Sequence, residues 1–371
     1  MDLSLFRQNN LLYSQESLSR YRPGGYHPVK LGDTFGNNRY EVHHKLGWGG
    51  FSTVWLAKDK EQEQWVSLKI MTAESSESKE LQMLEYLKNH SREELSSNFV
   101  VQLLDYFNHE GPNGVHQCLV FELLGPSVVQ VLQDYHEGSD KLDPDVVFHI
   151  SGRNIAFTCS NLWYKTEDEL FSVIGYPEVE PLARLDGTPL GDELPKQLVK
   201  AADWTEWIEE DEEDIRVFDF GESFFHGQEP ENLAQPGSLR VPETIFTDKF
   251  DYRVDLCRTG YMIYAFLFQI WPFWYLGEDV FLVCQMINFV EKLPTEWEPK
   301  WRSMLTDFKL KSSHDPIIED DEVSKVQRKF AELAPDPILE PLLPVMEGLM
   351  RFLPSHRLSA EDALGIMGNT E

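Results

Sequence analysis

Leu46-Gly47-Trp48-Gly49-Gly50-Phe51-Ser52-Thr53-Val54-Trp55 is the stretch on which the reading of this chain turns. Apolar and polar residues alternate on both sides of it, from Tyr40 to Leu46 and from Thr53 to Lys58, which predicts two strands joined by a glycine turn. Glycines let a backbone fold closely over an anion with its N–H groups facing the charge. A dinucleotide-binding turn is excluded, because a strand and not a helix follows. Glycine turns between strands are common, so the surrounding sequence has to decide.

Trp65 to Met71 reads as a third strand and carries Lys69 within Val66-Ser67-Leu68-Lys69-Ile70. An inward lysine here can pair with phosphates; taken alone, an ordinary exposed strand lysine is the better reading. Ser78 to Lys88 predicts a helix with Leu81, Leu84 and Leu87 on one face. Glu80 shares a face with Leu84 and Leu87 and can reach toward Lys69, with Glu77 and Glu85 as competitors. Phe99 to Tyr106 and His116 to Leu124 are two further apolar runs around a Gly-Pro-Asn-Gly turn. Beyond Gly125-Pro126 the chain becomes mainly helical, with a helix over Ser127 to Tyr135 and a helix start at Asp143-Pro144. Residues 160–214 form a mixed, acidic, turn-rich insert with a helix expected from Pro195 and an unbroken acidic run from Glu209 to Asp214. Then Ile215 to Phe218 reads as strand and ends in Asp219-Phe220-Gly221, an aspartate on a turn suited to Mg²⁺. Twenty-two residues after Asp219 comes Val241-Pro242-Glu243. Asp255 to about Leu364 is helical, and residues 1–38 read as a polar leader that packs loosely or not at all.

Glycine turn, lysine, glutamate, Asp-Phe-Gly and Pro-Glu in this order, with these elements between them, make chance an inadequate account. Gly25-Tyr26-His27-Pro28-Val29-Lys30-Leu31-Gly32-Asp33, Lys45 to Trp55 and Asn113 to Gly125 resemble the SR-protein-specific kinases, and the likeness runs over roughly residues 22–362 with one break. It implies an α+β, two-lobed protein-kinase-like fold: a β-rich lobe at 39–124 and a helical lobe at 125–371, with 160–214 as a spacer insert. It implies ATP- and Mg²⁺-dependent phosphorylation of serine or threonine in Arg/Ser-rich proteins such as splicing factors, and so a role in mRNA processing. Carried onto this sequence, Leu46, Gly47, Trp48, Gly49 and Val54 would cover the nucleotide, and Lys69 with Glu80 would position it. Phe121 would be the gatekeeper, Glu122 and Leu124 the adenine contacts, and Asn154 and Asp219 the Mg²⁺ ligands. Asp255 would be the buried aspartate of the central helix, and Arg357 would pair with Glu243.

The break falls on the catalytic loop, which in kinases reads H-R-D-L-x-x-x-N. Ser151-Gly152-Arg153-Asn154-Ile155-Ala156-Phe157 matches the end of that loop, but five residues before Asn154 stands His149, preceded by Val147-Phe148. This predicts a deletion around residues 148–151 that removed the catalytic aspartate and most of a core helix. Two readings follow: a kinase, with His149 at the base position, or a catalytically impaired module that holds nucleotide and binds basic partners. An incidental histidine is the favoured reading of His149 itself.

The formal net charge of −30 argues against direct nucleic-acid binding and favours basic partners over anionic membranes. Glu209 to Asp214, Glu278 and Asp279 are the candidate attractors of Arg-rich peptides, although 209–214 reads equally well as a solvated acidic loop. Cys118, Cys159, Cys257 and Cys284 form no C-x-x-C pair, and such scattered thiols suit a reducing compartment. Met1-Asp2-Leu3 opens no signal peptide. Tyr261 to Gly277 is shorter than a membrane span and is interrupted by Gln269 and Pro272, so a buried core helix is expected. The remaining expectations are a monomer, located in the cytoplasm, the nucleus or both.

Overall fold

Alternation along the first apolar runs builds an antiparallel sheet, seen in a computed structural model that describes residues 1–75, 79–90, 99–127, 130, 154–204, 214–233, 235, 237–247, 249–309, 323–333 and 337–368. Its strands are β1 (Thr34–Phe35), β2 (Tyr40–Trp48), β3 (Ser52–Asp59), β4 (Gln64–Met71), β5 (Leu103–Gly111) and β6 (Gly114–Glu122). They lie in the order β1-β2-β3-β4-β6-β5. The β5–β6 hairpin turns at the Gly-Pro-Asn-Gly segment, where Gly114 takes φ +131° and a Cβ would lie 2.8 Å from Ala73 Cβ. A longer side chain is therefore doubly disfavoured there. Helix α1 (Lys79–His90) follows β4 closely where the leucine spacing predicts it. The first of the two later strands begins at Leu103 rather than Phe99, because Val100 and Val101 instead bond alongside Val217.

The chain divides into two compact units, Met1–Ser127 with Asn154–Ser223, and Val128–Arg153 with Phe224–Glu371. This corrects the sequence-based division, since the described residues of the insert, 160–204 and 214, fall with the β-rich unit and not with the helical one. Flanking the insert, β7 (Leu124–Ser127), β8 (Ile155–Thr158) and β11 (Ile215–Val217) form a three-stranded sheet, and the insert itself contributes the pair β9 (Val179–Pro181) and β10 (Gln197–Val199). It also holds α2 (Glu167–Ile174), which starts with a Thr166–Glu169 capping box. No helix starts at Pro195: the residues after it pair as β10 with β9.

The leader is the second correction. Phe6, Leu11, Leu12, Leu18, Tyr21 and Tyr26 are buried in one cluster with Leu182, Leu194 and Leu198 of the insert. Each such side chain contributes about 1.5–3 kcal/mol by leaving water. Their spacing follows neither the helical nor the strand period, so composition alone suggested a polar tail. A buried ion pair adds to the seam: Lys45 Nζ, with Lys45 only 1% exposed, bonds Glu16.

Three histidines meet beside this seam. The ring centroids of His27 lie 4.7 Å from His109 and 5.1 Å from His116, and His116 Nδ1 donates to the Met71 carbonyl at 2.9 Å. Burial, reinforced by the two neighbouring imidazoles, pushes His27 down to about 3.

The second unit is helical, with α3 (Glu243–Phe246), α4 (Arg253–Phe268), α5 (Asp279–Met286), α6 (Glu298–Lys309), α7 (Lys325–Leu333), α8 (Leu342–Leu349) and α9 (Ala360–Met367). Helix α4 begins eight residues before Tyr261 and stops at Phe268, ahead of Pro272, which corrects the expected buried helix over Tyr261 to Gly277. Trp274 and Leu276, beyond its end, are exposed. Among the described residues no helix is long and apolar enough to cross a membrane. Gly260 lets α4 approach the end of α8, since a Cβ there would sit 2.5 Å from Met350 Cγ. The unit is pinned by Arg357, whose Nη1 and Nη2 donate to Glu243 Oε1 and Oε2 at 2.7 and 2.6 Å. Arg357 also donates to the carbonyls of Arg253 and Arg351 at 2.7 and 2.9 Å.

Two outcomes are expected. His27 titrates in the fold below its ordinary value of 6.5, so its neutral form contributes stability that is present above pH 6.5 and is lost as pH falls toward about 3. His27→Phe should flatten the acid limb of a melting-temperature profile between neutral and acid pH; an unchanged limb contradicts this. Glu243→Gln leaves a buried guanidinium short of its charge partner and should destabilise the helical unit by about 3–5 kcal/mol in a denaturant melt.

Candidate nucleotide site

Lys69 sits in the middle of β4, opposite Val54 of β3 and Leu119 of β6. Both faces of this strand are largely buried, so its alternation does not reveal which way the lysine points. Its Nζ lies 2.6 Å from Glu80 Oε2 and 2.9 Å from Asp219 Oδ1. Glu80 stands in the first turn of α1, where the helix dipole favours a carboxylate, and is only 1% exposed. Of its competitors, Glu77 lies outside the described residues, and Glu85 is exposed and bonded to Tyr106 instead. Burial pulls the Lys69 ammonium toward neutrality, but Glu80 and Asp219 outweigh it and hold the group above its ordinary value.

Asp219 is set by the end of β11. Val217 exchanges backbone bonds with Phe99 and Val101, and the Phe218 N–H donates to the Asn154 carbonyl at 2.8 Å. The chain then turns with Asp219 at φ +63°, a left-handed conformation that aspartate tolerates better than most residues. Phe220 holds the turn from the other side by packing on the cluster of Leu84, Val101, Leu119 and Phe121. The Asn154 backbone is thereby joined to the Asp219 turn, and both residues carry oxygen atoms of the hard type that Mg²⁺ takes. Among the described residues no group of three His, Cys, Asp or Glu side chains is placed to hold a metal ion.

The glycine turn joins β2 to β3, closed by the Gly49 N–H donating to the Ser52 carbonyl at 2.9 Å. A Cβ at Gly47, Gly49 or Gly50 would meet nothing within 4 Å, and none of the three takes a left-handed φ, so the turn's shape alone does not demand glycine there. Leu46 packs on the cluster of Leu56, Trp65 and Leu123, Val54 is half-buried, and Trp48 is exposed with Lys45 Nζ 5.0 Å from its ring. Phe121 is buried and Leu124 pairs with Thr158 of β8. The Glu122 carboxylate is already engaged: it accepts from the Gln102 N–H at 2.8 Å and from Arg216 Nε at 3.3 Å. Burial raises Glu122 despite these bonds. The side chain thus braces β6 against β11, a link through Arg216 that sequence reasoning missed and that no local pattern announces.

Other expected residues fall elsewhere. Val147, Phe148, His149 and Ser151 to Arg153 lie outside the described residues, as do the helix start at Asp143-Pro144, most of Ser127 to Tyr135, and Glu209 to Glu213 of the acidic run. Asp214 is described, and its backbone bonds Thr158. Asp255 is not buried: its side chain is 79% exposed at the start of α4, 3.7 Å from Arg258. Asp279 is bonded to Arg240, so of the two C-terminal acidic candidates only Glu278 lacks a cationic partner among the described contacts. Sequence reasoning also missed Arg20 and Tyr26, which donate to the Gly50 and Gly49 carbonyls.

A lysine on a sheet, a helix glutamate and an Asp-Phe-Gly turn, followed by a helical unit, define the protein-kinase fold. A crystal structure of a kinase domain shares it, covering 92% of this chain and 98% of its own with a TM-score of 0.58 at 16% identity. Over about a third of its length the chain is similar to SR-protein kinases. It is 41% identical over 129 residues to protein kinase dsk1 of Schizosaccharomyces pombe, covering 33% of this chain and 24% of that one. It is 44% identical over 133 residues to serine/threonine-protein kinase SKY1 of Saccharomyces cerevisiae, covering 34% and 18%. Human SRSF protein kinase 3 matches at 39% over 129 residues, covering 33% and 23%. The matched part thus spans no more than about a quarter of these relatives. No protein-family model matches the chain.

The raised Lys69 contributes stability that is fully present below pH 10.5 and is lost as pH rises through its higher folded value. Glu80→Gln removes the nearer counter-charge, so the alkaline limb of the stability profile should move to lower pH; a limb that stays in place contradicts the pairing.

Proposed function

We propose that this chain is an ATP-dependent serine/threonine protein kinase of the SR-protein kinase type, acting on Arg/Ser-rich proteins such as splicing factors. The observation that carries this reading is Lys69 held between Glu80 and Asp219 at 2.6 and 2.9 Å. Phosphoryl transfer asks mainly for positioning and charge stabilisation. In this reading Lys69 holds the nucleotide phosphates and Glu80 fixes the lysine. Residues 46–54 cover the phosphates, and Phe121 with the segment from Glu122 to Leu124 borders the base. Asn154 and Asp219 would hold Mg²⁺, which supplies charge neutralisation to the phosphates. The formal net charge of −30 favours an arginine-rich substrate, with the attraction weakening as salt rises. A monomer acting in the cytoplasm or nucleus completes the proposal.

His149 occupies the sequence position of the usual aspartate but reads as an incidental histidine, and a general base contributes roughly 10²–10⁴ in rate, so transfer by this chain is the point to test. Transfer of labelled phosphate from Mg-ATP to an Arg-Ser repeat peptide is therefore the test. Transfer should occur and fall about 10²-fold or more in Lys69→Met. Cooperatively melting chain that binds Mg-ATP yet transfers nothing would contradict the proposal and leave a nucleotide-binding module for basic partners.

A further inference from the structure

Two consecutive carbonyls of the glycine turn are capped by the leader. Tyr26 Oη donates to the Gly49 carbonyl at 2.5 Å, and the Arg20 guanidinium donates to the Gly50 carbonyl. The donors are themselves fixed. Tyr26 is buried, and the Arg20 guanidinium lies 5.3 Å from its ring centroid. The Tyr26 N–H donates to the Arg20 carbonyl at 2.9 Å, and a Cβ on the intervening Gly25 would lie 1.8 Å from that oxygen. Just upstream, Glu16 accepts from Tyr21 Oη at 2.5 Å and bonds the buried Lys45 at the base of the turn. The insert closes the arrangement, with the Ala202 N–H donating to the Lys45 carbonyl at 2.9 Å.

A peptide unit is planar, so fixing the carbonyls of Gly49 and Gly50 also fixes the opposite direction of the Gly50 and Phe51 N–H groups. A hydrogen-bonded carbonyl also polarises its own N–H, making it a better donor. Left alone, a turn with glycine at 47, 49 and 50 would sample many conformations, and phosphate binding would have to order it. We infer that Arg20 and Tyr26 are positioning residues of the nucleotide site: they hold the turn's amides ready for the phosphate groups of a nucleotide. This rests on the nucleotide reading above, and it makes residues 16–26 part of the phosphate-binding device.

The test pairs a ligand-free readout with a binding readout on the full chain, using Tyr26→Phe, Arg20→Ala and the conservative Arg20→Lys. Order parameters of the Gly49, Gly50 and Phe51 amides in the ligand-free chain should fall in the first two variants, from about 0.85 toward 0.6, and recover in Arg20→Lys. Mg-ATP affinity should fall about three- to tenfold in Tyr26→Phe and Arg20→Ala, the size of one net hydrogen bond, while adenosine affinity and the melting temperature stay unchanged. Unchanged order parameters overturn the leader's role whatever the nucleotide does. Equal loss for ATP and adenosine overturns the phosphate role. A native chain that binds no Mg-ATP sinks the nucleotide reading itself and the phosphate role with it, and the order parameters still report separately on the leader.

Discussion

A lysine ammonium taken out of water must find counter-charge or give up its proton. Lys69, 9% exposed, finds two carboxylates that arrive from different elements, Glu80 on α1 and Asp219 beyond β11. Each of those elements is placed by something else. Helix α1 lies on the sheet through Leu84, while β11 is fixed by its pairing with β8 and its backbone bonds to Phe99 and Val101. Much of the β-rich unit therefore serves to bring three charged groups within bonding distance of one point. Such a pairing is costly to break on one side and is weak evidence for stability on its own. Its value here is geometric: it fixes a cation and two acids at one point, the place proposed for phosphate and a divalent ion.

The leader and the insert extend the same logic. The seam residues follow no regular period, yet together they bury an apolar cluster, while the leader carries Glu16 to Lys45 and two donors to the glycine turn. Lys45 lies between the rings of Trp48 and Trp55, 5.0 and 5.5 Å from their centroids, so the base of the turn is held by charge, aromatic faces and backbone bonds together. In the helical unit Arg357 and Glu243 do for the second half of the motif order what Lys69 and Glu80 do for the first.

Much of this was legible in the sequence. The strands around the glycine turn, the helix bearing Glu80 and the Asp-Phe-Gly turn follow from residue order and period, because these elements are local or carry a motif, whereas the Glu243–Arg357 pair was implied only by the family resemblance. What was illegible is long-range. Glu122 with Arg216, Glu16 with Lys45, and the burial of Phe6 to Tyr26 join segments far apart in sequence and leave no local period. The Asp255 expectation failed for a related reason: a resemblance fixes a position on a helix, not what covers it, and the carboxylate is open beside Arg258 even though the surrounding protein raises its pKa. The strand expected from Phe99 slipped by four residues because backbone bonds to β11 outcompeted the hairpin there.

In the proposed reading, Lys69, Asp219 and Asn154 border the place of a metal-bound nucleotide. That placement is tested most directly by calorimetric titration of ATP, with and without Mg²⁺, into the native chain and Asp219→Asn. The account predicts tighter binding with Mg²⁺ in the native chain and loss of that difference in Asp219→Asn. Native affinity that ignores Mg²⁺, or a Mg²⁺ dependence that survives in Asp219→Asn, would contradict it.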